Sequence, residues 1–361
     1  MKAIRKIRVL IVEDSKVNQE LLKGLLEEDP VFEVIGVVSN GADAVKFVTG
    51  NLPDVVSMDI YMPVMDGMEA TRKIMQFTPV PIVIVSSFYN TSEVKMSFSI
   101  LEAGALTILP RPYGPGHLQY QQTARIYRNT LKMMAEVKVK TIYRSFPPIA
   151  KINQQISVFH STVLSSRSRS ATPSDYKIIA IGASAGGPQV IQFILKELPP
   201  SLPVPVLIVQ HIDANFAKGF VDWISSFSSL PVHVACHGEM MIPGHVYFPP
   251  GDHHLGALSP GVIAVRKKPP EKGLRPAVSF LFREVLAVYG KSAIGILLSG
   301  MGSDGAEELK MLYDQGAYTI AQDASSSLVH GMPGEAIRIG GAFRVLSPGE
   351  IVAEIIELFH K

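Results

Sequence analysis

The sequence predicts two doubly wound α/β units joined by a linker, and three observations support this fold class. The chain has 361 residues, which favours two domains over one. Short apolar runs alternate with amphipathic stretches on both sides of the middle of the chain, as in parallel sheets covered by helices. Between the two halves, residues 161–170 are rich in serine and arginine, a composition typical of a connecting segment.

The first unit is predicted to be a doubly wound (βα)5 fold over residues 1–125. The strand candidates lie at 8–12, 33–38, 55–59, 81–86 and 107–109. The helix candidates lie at 18–28, 41–49, 67–76, 92–103 and 118–132. Because a helix follows each strand, the five strands are expected to be parallel. Residues 126–173 are then predicted to be a helical extension followed by the serine- and arginine-rich linker.

The second unit is predicted to be a doubly wound, mostly parallel α/β domain over residues 174–361. Its strand candidates lie at 177–182, 204–211, 246–248, 293–299, 318–321 and 342–346. A helix candidate at 188–198 follows the first of these strands directly. The loops between the strands contain most of the glycine, histidine and aspartate, which places the chemistry at strand ends.

Bulk composition argues against a membrane span, whereas the small net charge argues neither for nor against nucleic-acid binding. The apolar runs are much shorter than the roughly 20 residues that a spanning helix needs. The basic N-terminus does not continue into a signal peptide, the net charge is +2, and no basic stripe with interleaved aromatic residues is present. The single cysteine, Cys236, rules out an internal disulfide and indicates a reducing, cytoplasmic location. Its position in an apolar run predicts a small residue of the core.

Acidic residues end two strands of the first unit. Glu13 and Asp14 follow the first strand and Asp59 ends the third. Because the carboxyl ends of parallel strands meet at one edge of a sheet, the three carboxylates are expected to converge there. Such a cluster needs a cation, and an all-oxygen site suits Mg²⁺. A carboxylate beside Mg²⁺ can also be the nucleophile toward a phosphoryl group.

A serine between glycines ends the first strand of the second unit. Residues 182–186 read Gly-Ala-Ser-Ala-Gly, and the strand–turn–helix pattern around them exposes the hydroxyl of Ser184. His211 ends the next strand, at the same sheet edge, and is the best-placed general base. Asp304, in the loop after the strand at 293–299, is the candidate to orient that base.

Two other interpretations of these loops are weaker. The segment Gly300-x-Gly302-x-x-Gly305 matches a dinucleotide fingerprint, but a carboxylate at 304 would repel the pyrophosphate. An ordinary α/β-hydrolase has its triad in the order Ser, acid, His, whereas the assignment here runs Ser, His, acid. The order therefore favours a separate fold type with convergent chemistry.

The N-terminal pattern resembles a response-regulator receiver domain over residues 1–125. The matching segments are Val-Glu-Asp-Ser at 12–15, Met-Asp-Ile-Tyr-Met-Pro-Val-Met-Asp-Gly at 58–67, Val-Ser-Ser at 85–87 and Pro-Arg-Pro at 110–112. The resemblance implies that Asp59 is phosphorylated. It also implies that Glu13, Asp14 and Asp59 hold Mg²⁺, with help from the Tyr61 carbonyl.

The same resemblance implies that Ser86 and Arg111 bind the phosphoryl group. Arg111 departs from the family pattern, which has lysine at this place. Arginine keeps the positive charge, but its side chain is longer and its guanidinium is planar. The replacement therefore bears on how phosphorylation of the receiver is coupled to the output domain.

The second unit resembles the CheB-type protein-glutamate methylesterases over most of residues 177–340. Matching segments include Ile-Gly-Ala-Ser-Ala-Gly-Gly-Pro at 181–188, Val-Gln-His at 209–211, Pro-Pro-Gly-Asp-His-His-Leu at 249–255, Arg-Pro-Ala-Val-Ser-Phe-Leu-Phe at 275–282, Leu-Leu-Ser-Gly-Met-Gly-Ser-Asp-Gly-Ala at 297–306, Ala-Gln-Asp-Ala-Ser-Ser at 321–326 and Gly-Met-Pro-Gly-Glu-Ala-Ile at 331–337. The resemblance implies a nucleophile at Ser184, a base at His211 and an orienting acid at Asp304. It also implies an oxyanion hole made by the backbone N–H groups of Ala185 and Met301.

Two residues outside the triad depart from this pattern. His253 replaces a common arginine, and Ser279 replaces a common aspartate. These departures concern the fit of the substrate more than the chemistry.

Together the resemblances imply a phosphorylation-regulated esterase of chemotaxis adaptation. It would hydrolyse glutamate γ-methyl esters on the cytoplasmic helical bundle of chemoreceptors, release methanol, and deamidate specific glutamines. A histidine kinase would donate the phosphoryl group, and Mg²⁺ would be needed only by the receiver. The protein would contact the membrane only indirectly, through the receptors. The alternative is a receiver-linked signalling adaptor with a vestigial esterase site.

Overall fold

The computed structural model describes residues 5–86, 98–137, 139 and 176–359. The chain divides into two compact units, Met1–Tyr143 and Arg144–Lys361. The first half of the helix predicted at 92–103, Ser87, and residues 140–173 of the extension and linker predicted at 126–173 lie outside the described residues.

The first unit is a five-stranded parallel sheet covered by helices. Its strands are β1 (Ile7–Val12), β2 (Phe32–Val38), β3 (Val55–Met58), β4 (Ile82–Ser86) and β5 (Thr107–Pro110). Its helices are α1 (Lys16–Glu27), α2 (Gly41–Asn51), α3 (Gly67–Phe77) and α4 (Tyr120–Met134), and residues 98–103 are also helical. The strand order is β2-β1-β3-β4-β5, and all pairs are parallel. The order reverses between β1 and β3, so the acidic residues after these two strands flank the switch point of the sheet.

Local signals in the sequence set the helix ends of this unit. Asn40 and Asp66 cap α2 and α3 by accepting hydrogen bonds from the N–H groups of Asp43 and Glu69. Residues 126–134, predicted as an extension, form the second half of α4. The hydroxyl of Tyr127 in this helix is buried and lies 3.0 Å from Ser57 Oγ in β3, so α4 packs on the first unit.

The second unit contains a seven-stranded parallel sheet and a separate antiparallel hairpin. Its strands are β6 (Ile178–Ala183), β7 (Val206–Gln210), β8 (Val232–Val234), β9 (Val246–Phe248), β10 (His254–Ser259), β11 (Val262–Arg266), β12 (Ala293–Leu297), β13 (Tyr318–Gln322) and β14 (Arg344–Leu346). Its α-helices are α5 (Gly187–Glu197), α6 (Ala217–Ser225), α7 (Val278–Tyr289), α8 (Ala306–Asp314), α9 (Met332–Arg338) and α10 (Pro348–Phe359). The large sheet has the order β14-β13-β12-β6-β7-β9-β8, and β10 pairs with β11.

The central strands of the second sheet are wholly buried, as their continuous apolar runs predict. Every residue of β6, β7, β12 and β13 is buried. The strand order reverses between β6 and β12, so the loops after these strands and after β7 meet at the switch point. This topology brings the predicted serine, histidine and aspartate loops to one edge.

The ends of the described predicted elements agree with the structure to within about two residues. The edge strand β8 and the hairpin β10–β11 were not predicted. In the described parts of the chain, no helix combines the length and the apolar character that crossing a bilayer requires.

The expectation that Cys236 is a core residue was wrong. The thiol is exposed, because β8 is a short edge strand that ends at Val234. Cys236 lies beyond that end, in a turn where its N–H donates to Glu239 Oε2 at 3.0 Å.

Candidate functional site

Ser184 stands on a tight turn between β6 and α5. The turn closes through a 2.8 Å hydrogen bond from Gly187 N–H to the Ser184 carbonyl. Gly186 adopts φ 77°, and a Cβ there would lie 2.5 Å from Leu328 Cβ, so both its conformation and its surroundings require glycine. Ser184 therefore sits at the N-terminal end of a helix, as the Gly-x-Ser-x-Gly pattern predicts.

Strand register places Ser184 and His211 side by side. Ala183 pairs with Gln210 across β6 and β7, so the two following residues are neighbours beyond the sheet edge. The amide of Gln210 fixes them, since its Nε2 donates to the Ser184 carbonyl at 2.9 Å and to the His211 carbonyl at 3.0 Å. Gln210 is 4% exposed. Gln210 was not predicted as a site residue, although a polar residue at the end of an apolar strand is a usable signal.

Asp304 holds the imidazole of His211 and is itself held by a helix. Asp304 Oδ2 lies 2.8 Å from His211 Nε2. Its carboxylate also accepts the backbone N–H groups of Val278 at 2.6 Å and Ser279 at 3.1 Å, at the N-terminus of α7. Because Nε2 is engaged by Asp304, Nδ1 is the ring nitrogen that remains for another partner.

These contacts keep Asp304 ionised. Burial would raise the pKa of Asp304, but the hydrogen bond and charge of His211, with the donors at the start of α7, lower it to about 2. The side chain of Asp304 is 4% exposed and that of His211 is 10% exposed, so solvent screens their contact little. A permanent negative charge therefore faces the imidazole, as the orienting role requires.

The loop after β12 packs closely against the turn that carries Ser184. Ser184 N–H donates to the Ser299 carbonyl at 3.0 Å. A Cβ at Gly300 would lie 2.9 Å from Ser184 Cβ and 2.3 Å from Met332 Sδ. Glycine at 300 is thus required by close packing against the serine. Since Asp304 of this loop is bonded to His211 and α7, the loop is not a cradle for a pyrophosphate.

Two backbone donors near Ser184 have no partner among the described residues. The N–H groups of Ala185 and Met301 donate no hydrogen bond there, and the Ser184 hydroxyl makes none either. The turn at 185 and the loop at 301 leave these groups available to a ligand.

In the first unit, the three predicted carboxylates come together. Glu13, Asp14 and Asp59 each offer an oxygen atom within 4.8 Å of the others. Burial and the neighbouring carboxylate raise the pKa of Glu13, and burial raises the pKa of Asp59. Arg111 Nη2 lies 2.9 Å from Glu13 Oε2 and 3.1 Å from Asp59 Oδ2, so its guanidinium bridges the cluster.

Both units of the chain are similar to known protein families. A family model described as CheB methylesterase matches residues 179–355, and one for the response regulator receiver domain matches residues 9–121. A protein-glutamate methylesterase/protein-glutamine glutaminase of Geobacter metallireducens is 48% identical, over 98% of this chain and 99% of its own length. The chain belongs to the CheB methylesterase family. A relative of the same name from Nitrosospira multiformis is 44% identical, over 98% of this chain and 97% of its own length.

The CheB methylesterase catalytic domain of Thermotoga maritima also matches this chain. That solved structure is 36% identical, with a TM-score of 0.49, and covers 51% of this chain and 98% of its own. The predicted family, the receiver-plus-methylesterase fold and the hydrolase class are confirmed by the sequence comparisons.

The remaining predicted residues of the receiver site are Ser86 and Tyr61. Ser86 is buried at the end of β4, and its side-chain hydrogen bond lowers the pKa of Asp59 against the effect of burial. Asp59 Oδ1 accepts the Ile60 N–H at 2.8 Å. Tyr61 follows two residues after Asp59, and its side chain is 43% exposed.

The two departures from the CheB pattern each have a local partner. His253 Nδ1 lies 2.8 Å from the Gly251 carbonyl. Ser279 Oγ donates to Glu271 Oε2 at 2.8 Å, while its N–H serves Asp304. Ser279 thereby connects Asp304 to the loop that precedes α7.

Proposed function

We propose that this protein hydrolyses glutamate γ-methyl esters on the cytoplasmic helical bundle of chemoreceptors, releasing methanol. The same site would deamidate specific glutamines. The observation that carries the proposal is the meeting of Ser184, His211 and Asp304 at the switch point of the second sheet. A nucleophile, a base and an orienting acid are the parts that acyl transfer needs.

The proposed chemistry follows from these positions. Ser184 Oγ attacks the ester carbonyl carbon while His211 Nδ1 takes its proton. The methoxide leaves with that proton as methanol, and Ser184 remains as an acyl ester of the glutamate. His211 then takes a proton from water, the resulting hydroxide attacks the acyl carbonyl, and the proton returns to Ser184. Asp304 stays ionised and stabilises the imidazolium in both steps.

The N–H groups of Ala185 and Met301 would form the oxyanion hole. Donors aimed at the charge that develops in the transition state contribute more than contacts to the ground state. The lack of other partners for these two groups among the described residues supports this assignment.

In the receiver, Asp59 would accept a phosphoryl group from a histidine kinase. Glu13, Asp14 and Asp59 would hold Mg²⁺ together with the Tyr61 carbonyl, and the close carboxylates and the raised pKa values of Glu13 and Asp59 support a cation there. Bound Mg²⁺ would supply positive charge that shields the acceptor from the incoming phosphoryl oxygens.

Ser86 and Arg111 would bind the transferred phosphoryl group. Ser86 already hydrogen-bonds the Asp59 carboxylate, and Arg111 forms ion pairs with Glu13 and Asp59. Arg111 therefore has to leave part of this contact when the phosphoryl group arrives.

Replacing Arg111 with alanine is expected to tighten Mg²⁺ binding. The guanidinium bridges Glu13 and Asp59, so an incoming cation must displace a positive charge that the variant lacks. We expect the Kd for Mg²⁺ to fall by about tenfold, which corresponds to about 1.4 kcal/mol. Isothermal titration calorimetry measures it directly. Arg128→Ala, which removes a cation that pairs with Glu28, is the control and should leave the Kd unchanged. Equal affinities in all three proteins would contradict the prediction.

The proposed function divides the chain into three segments. Residues 1–125 would form the receiver, residues 126–173 the helical extension and linker, and residues 174–361 the catalytic domain. A phosphoryl group on Asp59 would regulate the Ser184 site in a cytoplasmic setting that the lone cysteine favours.

The test is methanol release by the full chain from a methylated receptor fragment, with and without acetyl phosphate as a small phosphodonor. We expect methanol in both cases and several-fold more with the phosphodonor and Mg²⁺. Asp59→Asn should remove the response to the phosphodonor. A fluorophosphonate should label Ser184. A chain that neither releases methanol nor takes the label would instead be the signalling adaptor with a vestigial site.

A further inference from the structure

A basic segment leads from the hairpin to the helix that holds Asp304. Residues 266–275 read Arg-Lys-Lys-Pro-Pro-Glu-Lys-Gly-Leu-Arg, so they contain five basic residues and a single acid. The segment connects β11 with α7. The proposed chemistry uses none of these charges. We refer to residues 266–275 as the basic segment.

The basic segment lies next to the residues around Asp304, and we call this border of the site the rim. Three residues after it ends, Val278 N–H bonds the carboxylate of Asp304. Lys272 Nζ lies 3.6 Å from Glu307 Oε2, and Glu307 is three residues beyond Asp304. The segment therefore runs along the loop that carries the orienting acid.

The other end of the rim is the loop after β9. Arg275 Nε donates to Asp252 Oδ1 at 2.7 Å. The preceding residue, Gly251, packs so closely that a Cβ on it would lie 2.5 Å from the Ala214 carbonyl oxygen. Ala214 follows His211 by three residues. The basic segment is thus tied to the loops of both His211 and Asp304.

The only acid of the segment, Glu271, is turned inward, and its negative charge is balanced by an ion pair. Glu271 accepts Ser279 Oγ at 2.8 Å and forms an ion pair with Arg283, which also pairs with Glu308 at 3.0 Å. Burial would raise the pKa of Glu271, but these donors lower it, so it stays ionised as an internal anchor. Backbone hydrogen bonds between Glu271 and Leu274 close the turn.

Two lysines are left facing outward. The side chains of Lys267 and Lys272 are 66% and 59% exposed, and the carboxylates within 4 Å of them, of Asp252 and Glu307 respectively, are themselves exposed. By contrast, Arg275 is engaged with Asp252, and Lys268 lies over the Phe280 ring at 5.3 Å. Exposed ion pairs of this kind contribute little, so a partner's carboxylates can replace them.

We propose that the basic segment binds free glutamate carboxylates next to the scissile ester on the substrate helix. This rests on the proposed methylesterase function. Each turnover converts a neutral ester into a carboxylate, so a helix with several modified glutamates becomes more acidic as demethylation proceeds. Glutamates one or two turns from the ester lie about 5–10 Å along the helix axis. Cations on the rim then favour segments that already carry free glutamates.

The test compares the full chain with its Lys267→Gln/Lys272→Gln variant. Substrates are receptor fragments with one glutamate ester whose helical neighbours are either Glu or Gln. For wild type we expect a KM about fivefold lower with Glu neighbours, and for the variant equal KM values with the two fragments. The kcat values and the hydrolysis of p-nitrophenyl acetate should stay within twofold. High salt should remove the wild-type preference.

Lys177→Gln/Lys291→Gln is the matched control. Both lysines are exposed and precede β6 and β12, at the sheet edge opposite the site, so the Glu preference should persist. Methanol release with equal wild-type KM values for the two fragments would overturn this proposal alone. Loss of preference in the control would overturn it as well. No methanol from either fragment would overturn the function on which it rests.

Discussion

Replacing Ser184 with alanine is expected to abolish methanol release from methylated receptor fragments. The covalent acyl intermediate cannot form without the hydroxyl, and His211 and Asp304 have no nucleophile to activate. Removal of a triad nucleophile lowers kcat by about 10⁴- to 10⁶-fold. Binding and the backbone donors at Ala185 and Met301 would account for the activity that remains.

The fold should survive this substitution. The Ser184 hydroxyl makes no hydrogen bond to the described residues, and alanine keeps the Cβ that packs against Gly300. The free energy of unfolding is therefore expected to change by about 0.5 kcal/mol or less. Receptor binding should persist for the same reason.

Measurements of kinetics and of unfolding together test whether Ser184 is the nucleophile. Steady-state methanol release and chemical denaturation are measured on Ser184→Ala and on Ser259→Ala, a control at an exposed strand end of the same unit. Ser259→Ala should retain wild-type turnover. Turnover of Ser184→Ala within tenfold of wild type would refute the nucleophile assignment.

The parts of the site that the sequence predicted are those set by strand ends. Apolar runs located β6, β7 and β12, and in a parallel sheet that suffices to bring Ser184, His211 and Asp304 to one edge. The same rule brought Glu13 and Asp59 together in the first unit. Both predictions depend on topology and need no knowledge of side-chain packing.

The parts that could not be predicted depend on tertiary contacts. Nothing near Asp304 in the sequence shows that the N-terminus of α7 would donate to it, because Val278 lies 26 residues away. Gln210 could be placed at a strand end, but its bonds to two carbonyls follow from side-chain geometry. Cys236 was misjudged because a short apolar run does not distinguish an edge strand from a buried one.

The contacts of Arg111 in the receiver also could not be predicted from the sequence. The sequence placed a cation near the acidic residues but could not show which ones it would contact. In the structure the guanidinium bridges Glu13 and Asp59, and we therefore expect this single-residue departure from the family pattern to change the affinity for Mg²⁺.

Replacing Asp304 with asparagine is expected to lower kcat by about 10⁴-fold, as removal of the orienting carboxylate does in serine triads. An asparagine has one acceptor oxygen, whereas Asp304 accepts from His211, Val278 and Ser279. The amide would turn its NH₂ group toward at least one N–H donor or toward His211 Nε2. The imidazole then loses the tautomer that leaves Nδ1 free to take the proton of Ser184.

The same substitution should change how stability depends on pH. The pKa of Asp304 is about 2 in the folded protein, below its ordinary value of 3.8. A lowered pKa stabilises the fold at neutral pH, and that contribution is lost as pH falls from about 4 to about 2. The difference corresponds to about 2 kcal/mol. Asp304→Asn should lack this part of the pH dependence and be less stable at pH 7.

The single tryptophan allows the pH dependence of stability to be measured for the second unit within the full chain. Trp223 lies in α6 and is 7% exposed, so its fluorescence reports unfolding of the second unit. Urea denaturation at pH 7 and pH 4 gives the contribution of Asp304 before its protonation, and lower pH follows its loss. Glu307→Gln, an exposed neighbour on α8, is the control and should unfold like wild type. An Asp304→Asn variant with wild-type kcat would show that His211 is oriented by other groups, and unchanged pH dependence would show that the contacts at α7 do not depend on the charge.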